Sequence, residues 1–133
     1  MGFARARVRL VGARDTCELT ALVDTGAWYT VLDRGLAERI GARPTGLTVV
    51  LTASSGHRVR CEEAILESLV VEGRSAPSEL VAVCSIPEAV RALLRRQGVS
   101  DEVVVGVHTL ERLGLAVDPI THRLVGSPGV LMI

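Results

Sequence analysis

From Ala4 to Leu10, small or apolar residues alternate with Arg5, Arg7 and Arg9, the two-residue period of a strand with one face toward a core and one toward water. The arginines are read as that solvated face, which also discourages edge-to-edge aggregation, in preference to a grip on an acidic partner. Gly12 to Asp15 reads as a turn and Cys17 to Val23 as the returning strand, an opening hairpin. Tyr29 to Leu32 is β-branched and aromatic enough for a further strand, and Asp33 is placed to cap a short helix to about Ile40, stopped by Gly41. Thr48 to Ala53 and Arg58 to Cys61 flank Ser54-Ser55-Gly56-His57 and predict a β-hairpin. Ala64 to Val71 and Leu80 to Val83 are apolar runs of strand length, separated by turn formers from Glu72 to Pro77. Ser85 and Glu88 have capping-box spacing, and Val90, Leu93 and Leu94 recur at helical spacing, predicting a helix over roughly Pro87 to Gln97. After the apolar segment Val103-Val104-Val105-Gly106, a closing hairpin is expected from Leu115-Ala116-Val117 and Arg123-Leu124-Val125, around the turn Asp118 to His122. The tail Gly129 to Ile133 is apolar, whereas disordered ends are normally polar.

This succession of short strands predicts a mainly β chain, and 133 residues with 48% hydrophobic content are enough for one domain over 1–133 with a real core. The formal charge of +0 carries no footprint for nucleic acid or an acidic membrane, so neither is expected as a partner. Every cationic residue of the Lys+Arg total is arginine, a bias attributed to genome composition. Arg5, Arg7 and Arg9 interrupt any signal-peptide-like run, and no segment is long and apolar enough to span a membrane. Three cysteines, Cys17, Cys61 and Cys84, without Cys-x-x-Cys spacing, argue against a disulfide scaffold or structural zinc, and a cytoplasmic location is expected.

The chemistry concentrates at Ala21-Leu22-Val23-Asp24-Thr25-Gly26-Ala27, where an apolar strand delivers one carboxylate into a tight turn. An ionised Asp24 beside buried Leu22 and Val23 costs several kcal/mol unless hydrogen-bonded or paired. Thr25 offers a hydroxyl to lock the loop, and Gly26 permits close approach. Asp-Thr-Gly alone is also an ordinary strand-to-turn sequence. With Val104-Val105-Gly106 and the following Leu110-Glu111-Arg112-Leu113-Gly114, in this order and at this separation, the chain resembles the retropepsin-like aspartic proteases, particularly their small bacterial and archaeal members, from about Leu19 to Val125.

The resemblance implies a single-lobe acid protease fold, a closed β barrel or sandwich with one or two short helices, to which the helix near 87–97 is an addition. That helix is expected to pack on the surface, with a role in the cleft or the subunit contact as the alternative. The resemblance further implies a helix from Thr109 to Leu113, a substrate-covering flap in the hairpin around 54–57, and terminal strands that can interleave between subunits. It carries Asp24, Thr25 and Gly26 over as catalytic, and Ala27, Trp28, Ala53, Ser54, Ser55, Gly56 and Val105 as substrate-binding. Trp28 and Tyr29 either line a pocket or, preferably, anchor the loop in the core. His108 stands where relatives carry an acidic or small residue.

Hydrolysis by this route needs two aspartates sharing one proton, the behaviour for which aspartic proteases in general are the standard example. The chain holds one Asp-Thr-Gly, because Asp15-Thr16 continues into Cys17 and Asp118 into proline. A homodimer is therefore expected to supply the second, with a polypeptide as substrate and neither cofactor nor metal. The alternative is a catalytically weak domain of the same fold serving dimerisation or peptide binding. Ser54, Ser55 and His57 lack a nucleophile-elbow context, and His57, His108 and His122 match no familiar metal-ligand spacing.

Overall fold

The N-terminal alternation forms β1 (Phe3–Val11), in which Ala4, Ala6, Val8 and Leu10 are buried while the three arginines face solvent. This structure is a computed structural model and describes residues 3–53 and 55–127. The expectations for Ser54 and for the tail Gly129 to Ile133 therefore lie outside the described residues. After β1 come β2 (Thr16–Asp24), β3 (Thr30–Asp33), α1 (Arg34–Ile40), β4 (Arg43–Thr52), β5 (Arg58–Val71) and β6 (Arg74–Cys84). The chain continues through α2 (Glu88–Arg96), β7 (Val103–Val105), α3 (Val107–Leu113), β8 (Leu115–Val117) and β9 (Leu124–Gly126).

Six strands close into a barrel in the order β1-β2-β7-β3-β6-β5, with β5 pairing back onto β1. The 14-residue β5 spans two roles: its C-terminal part seals the barrel against β1, and its N-terminal part carries β4 as a projecting hairpin. The side-chain period sends Val23, Leu32, Leu66, Val81, Val103 and Val105 into the interior, each fully buried. Each such residue contributes about 1.5–3 kcal/mol relative to exposure. Small Ala4, Ala6 and Ala21 at facing positions let β1 and β2 approach this core closely. The β5–β6 connection is shorter than the turn-rich segment suggests, because Glu72 and Gly73 both adopt positive φ in a two-residue hairpin loop and pairing resumes at Arg74.

Asp33 caps α1 as expected, accepting the Gly35 N–H at 3.2 Å, and Gly41 ends it in the left-handed conformation at φ 79°, which a side chain would strain. Leu36, Ala37 and Ile40 dock the helix on the barrel. The capping box expected for α2 does not form. Pro87 occupies the N-cap without a side-chain bond, which puts Glu88 in the first helical position and leaves Ser85 two residues too early. Glu88 pairs instead with Arg95. Leu94 is buried and Arg91 bridges Asp33 at 3.0 Å and Asp101 at 3.4 Å, so α2 is a docked surface helix at the strand ends remote from Asp24. α3 begins at Val107, two residues before the expected start. No helix among the described residues is long and apolar enough to cross a membrane.

The cysteine count misleads. Cys61 of β5 and Cys84 of β6 form a disulfide, with Cα atoms 4.6 Å apart, and Cys17 alone is free. Antiparallel pairing of Glu62 with Val83 puts the two cysteines opposite one another across the ladder, a juxtaposition that a separation of 23 residues does not announce. The count consequently ceases to be an argument for a reducing compartment.

Asp33 also makes acid stability testable. Burial opposes its charge, but the Ile86 N–H, Arg91 and the Gly35 N–H outweigh that and hold its carboxyl below the usual range. A depressed folded-state pKa adds stability in full above the unfolded value of about 3.9, and loses it as pH falls through the folded value. Asp33→Asn, which keeps an amide oxygen for the cap, is expected to be less stable than wild type at neutral pH, with the difference closing on acidification below about pH 4. Urea unfolding at neutral pH and at about pH 2.5 checks this, and a difference that persists undiminished in acid contradicts it.

Candidate active site

β2 ends at Asp24 beside β7, with Leu22 opposite Val104 and Val23 opposite Val105 in parallel register. There the chain turns tightly. The Asp24 carboxylate accepts the Gly26 N–H at 2.9 Å, and its carbonyl accepts the Ala27 N–H at 3.1 Å. A second connection, from Val105 at the end of β7 through Gly106 into the first turn of α3, crosses against the first: the Val107 N–H donates to the Ala27 carbonyl at 2.7 Å and the His108 N–H to the Trp28 carbonyl at 3.1 Å. Beneath them the Thr30 and Thr109 hydroxyls lie 2.7 Å apart and fully buried, and Thr30 Oγ1 also accepts the Gly106 N–H at 3.1 Å. A carboxylate at this position is held by backbone that both loops immobilise, so its direction is set before any ligand arrives.

The residues expected to act together fall into two groups. Asp24, Thr25, Gly26 and Ala27 form the turn, with Asp24, Thr25 and Ala27 half-buried and Gly26 exposed. Ala53, Ser55 and Gly56 form the tip of the β4–β5 hairpin, closed by the Ala53 N–H to His57 carbonyl bond at 2.8 Å and the Gly56 N–H to Ala53 carbonyl bond at 2.9 Å. Because β4 pairs, among the described residues, with β5 alone, this hairpin stands off the barrel, with Leu47 and Val50 more than half exposed. Two expectations need correction. Trp28 is 70% exposed and does not anchor the loop in the core; it stacks on His108 at 5.9 Å between ring centroids. Val105 points inward and is fully buried, so its side chain supports the site from behind. Tyr29 is half-buried, 6.2 Å from the His108 ring, and its hydroxyl donates to Glu63 at 2.8 Å.

A face passed over in the linear reading emerges from the register. Leu22, two residues before Asp24, shares its side of β2; Val104, Val31 and Ala82 continue the same row across β7, β3 and β6. Leu22, Val31 and Val104 are half-buried, unlike the fully buried residues that alternate with them. Around the row, Cys61, Ala82 and Cys84 form a second apolar cluster with Tyr29, Val31, Val49, Leu51 and Val59, joining the face beside Asp24 to the root of the hairpin. The available signal was the two-residue period counted back from Asp24, but the strand pairing needed to extend it is non-local.

Residues 6–108 match the family model described as Aspartyl protease. No curated protein matches the sequence. Among solved structures, the chain is similar to the EIAV protease complexed with the inhibitor HBY-793, at 20% identity and a TM-score of 0.55 over 82% of this chain and 86% of that one. It is also similar to a retropepsin-like aspartic protease from Rickettsia conorii, at 17% identity and a TM-score of 0.54 over 86% of this chain and 75% of the other. A third likeness is to the retroviral protease-like domain of Ddi1 from Leishmania major, at 15% identity and a TM-score of 0.55 over 95% and 89% of the two chains. The six-stranded barrel with its projecting hairpin is thus the retropepsin-like fold, and the chain belongs to the aspartyl protease family.

Proposed function

We propose that this chain is an aspartic endopeptidase whose active site forms at the two-fold axis of a homodimer, with Asp24 of each subunit supplying one carboxyl group. The observation that carries the reading is the turn itself: one carboxylate, presented at a strand end by two crossing loops, in a chain with a single Asp-Thr-Gly. Two carboxyls brought within a few Å cannot both ionise, so the pair holds one proton. The ionised member takes a proton from water, which attacks the scissile carbonyl, while the protonated member donates to the carbonyl oxygen. Thr25 and Gly26 hold the turn, and Trp28, Ala27 and the hairpin tip contact the peptide. The substrate lies extended, alternate side chains meeting the half-buried apolar row Leu22, Val31 and Val104, while the β4–β5 hairpin closes over it and excludes water. The domain operates as one unit over 1–133, without cofactor or metal and without engagement of nucleic acid or membrane.

The test is dilution. If the pair is assembled from two chains, specific activity falls as total protein drops below the dimer dissociation constant, and sedimentation measured over the same range shows monomer appearing in step. The pH profile at saturating protein is expected to be bell-shaped, as a shared proton requires. Constant specific activity from a species that sediments as a monomer throughout overturns the dimeric mechanism. A stable dimer that cleaves no member of a diverse peptide library points instead to a domain serving dimerisation or peptide binding.

A further inference from the structure

We propose that Glu63 is a specificity-determining residue that receives a lysine or arginine side chain of the substrate, an inference that rests on the peptidase reading above. Glu63 stands opposite Ala82 of β6 and so extends the row Leu22, Val104, Val31 and Ala82 by one more strand, on the same face as Asp24. The row ends there. Beyond Glu63 lies the root of the hairpin, so the half-buried carboxylate stands at the end of an otherwise aliphatic row.

Its environment lacks the partner that a half-buried carboxylate normally acquires. Of the three glutamates in β5, Glu62 pairs with Arg34 at 3.1 Å and Glu67 with Arg43 at 3.9 Å, whereas Glu63 pairs with no arginine among the described residues. Its two oxygens each accept from a neutral hydroxyl, Oε2 from Tyr29 at 2.8 Å and Oε1 from Thr45 at 3.0 Å. Those bonds orient the group and use about two of its roughly four lone-pair positions, without neutralising the charge. A cation arriving from solvent meets a carboxylate already pointed and half desolvated, the condition under which a charge-assisted bond is strongest. The bond to Glu63 also raises the pKa of Tyr29, which keeps the phenol a donor under alkaline conditions.

The distance is compatible with one peptide. Four strand spacings of about 4.8 Å put Glu63 roughly 19 Å from Leu22 along the sheet, and less across the curved barrel. An extended chain advancing about 3.3 Å per residue covers roughly 13–17 Å in about four to five residues, and a lysine side chain spans the remainder, so a side chain at that separation from the scissile bond comes within reach. In a symmetric dimer the preference appears on both sides of that bond.

The experiment is a peptide series carrying lysine, norleucine or glutamate singly at each of the five positions on either side of the cleaved bond, presented to wild type and to Glu63→Gln. At one position and its two-fold mate, lysine is expected to raise kcat/KM about tenfold over norleucine and glutamate to lower it. Glu63→Gln keeps an oxygen for Tyr29 and is expected to abolish that lysine advantage while cleaving the norleucine peptides within about twofold of wild type. A merely structural Glu63 would slow all peptides alike. The proposal is overturned if the lysine-to-norleucine ratio is the same in both proteins or if no position prefers a basic residue; cleavage of norleucine peptides with such results leaves the peptidase reading standing. If wild type cleaves nothing, calorimetric binding of the same peptides carries the comparison. A lysine-to-norleucine affinity ratio lost in Glu63→Gln supports Glu63 as the receiving group, whereas equal ratios, or no binding at all, overturn it.

Discussion

Asp24→Asn is expected to fold and to dimerise like wild type and to cleave peptides at least about a thousandfold more slowly, the scale of loss for removing a general acid–base pair. The substitution is nearly isosteric, and its amide oxygen can still accept the Gly26 N–H that Asp24 accepts at 2.9 Å. What it removes is the titratable oxygen. With asparagine on both sides of the axis there is no base to draw a proton from water and no acid to protonate the carbonyl. Mixing wild type with an excess of the variant extends the test, because heterodimers then sequester wild-type chains and activity falls more steeply than simple dilution would cause. Equal cleavage by wild type and Asp24→Asn would remove this residue from the mechanism.

Gly106→Ala is expected to cost about 3 kcal/mol or more of stability and to lower the melting temperature by on the order of 10 °C. A Cβ at Gly106 would lie 2.3 Å from the Tyr29 carbonyl oxygen, 2.5 Å from its carbon and 2.8 Å from the Trp28 carbonyl oxygen. All three contacts are backbone. A flexible side chain could swing away, but these atoms belong to the loop that must cross here. Relieving the clash pulls apart the two loops, stretching the Gly106 N–H to Thr30 bond and the His108 N–H to Trp28 carbonyl bond, both of which hold the Asp24 turn against β7. Activity should therefore fall along with stability, even though Gly106 offers no reacting group. Thermal unfolding of the purified variant checks the prediction, and an unchanged midpoint would show that the crossing is looser than these distances imply.

The two substitutions probe different depths of the same site, and they differ in how far the linear sequence reveals them. Asp24 is conspicuous because a charged residue at the end of an apolar strand breaks the local pattern. Gly106 is conspicuous only as the end of Val103-Val104-Val105; that its missing side chain makes room for a crossing loop needs the loop to be seen. His108 illustrates the same limit. Its place after Gly106 was legible, but not that its ring is exposed and stacked on Trp28. That exposed stack differs from the core anchor expected of Trp28.

Features governed by neighbours a few residues away could be read directly: the inward Ala4, Ala6, Val8 and Leu10 of β1, the Asp33 cap and Gly41 stop of α1, the pairing of β4 with β5 as a hairpin, and the turn that presents Asp24. Each depends on side-chain period or on the φ a single residue tolerates, and such preferences travel with the chain. Only the closed barrel decided that Cys61 meets Cys84, that Tyr29 reaches Glu63, and that Leu22, Val104, Val31 and Ala82 share a row. Those contacts rest on the register between strands distant in sequence, where a shift of one residue would turn every side chain to the opposite face, and no local preference carries that information.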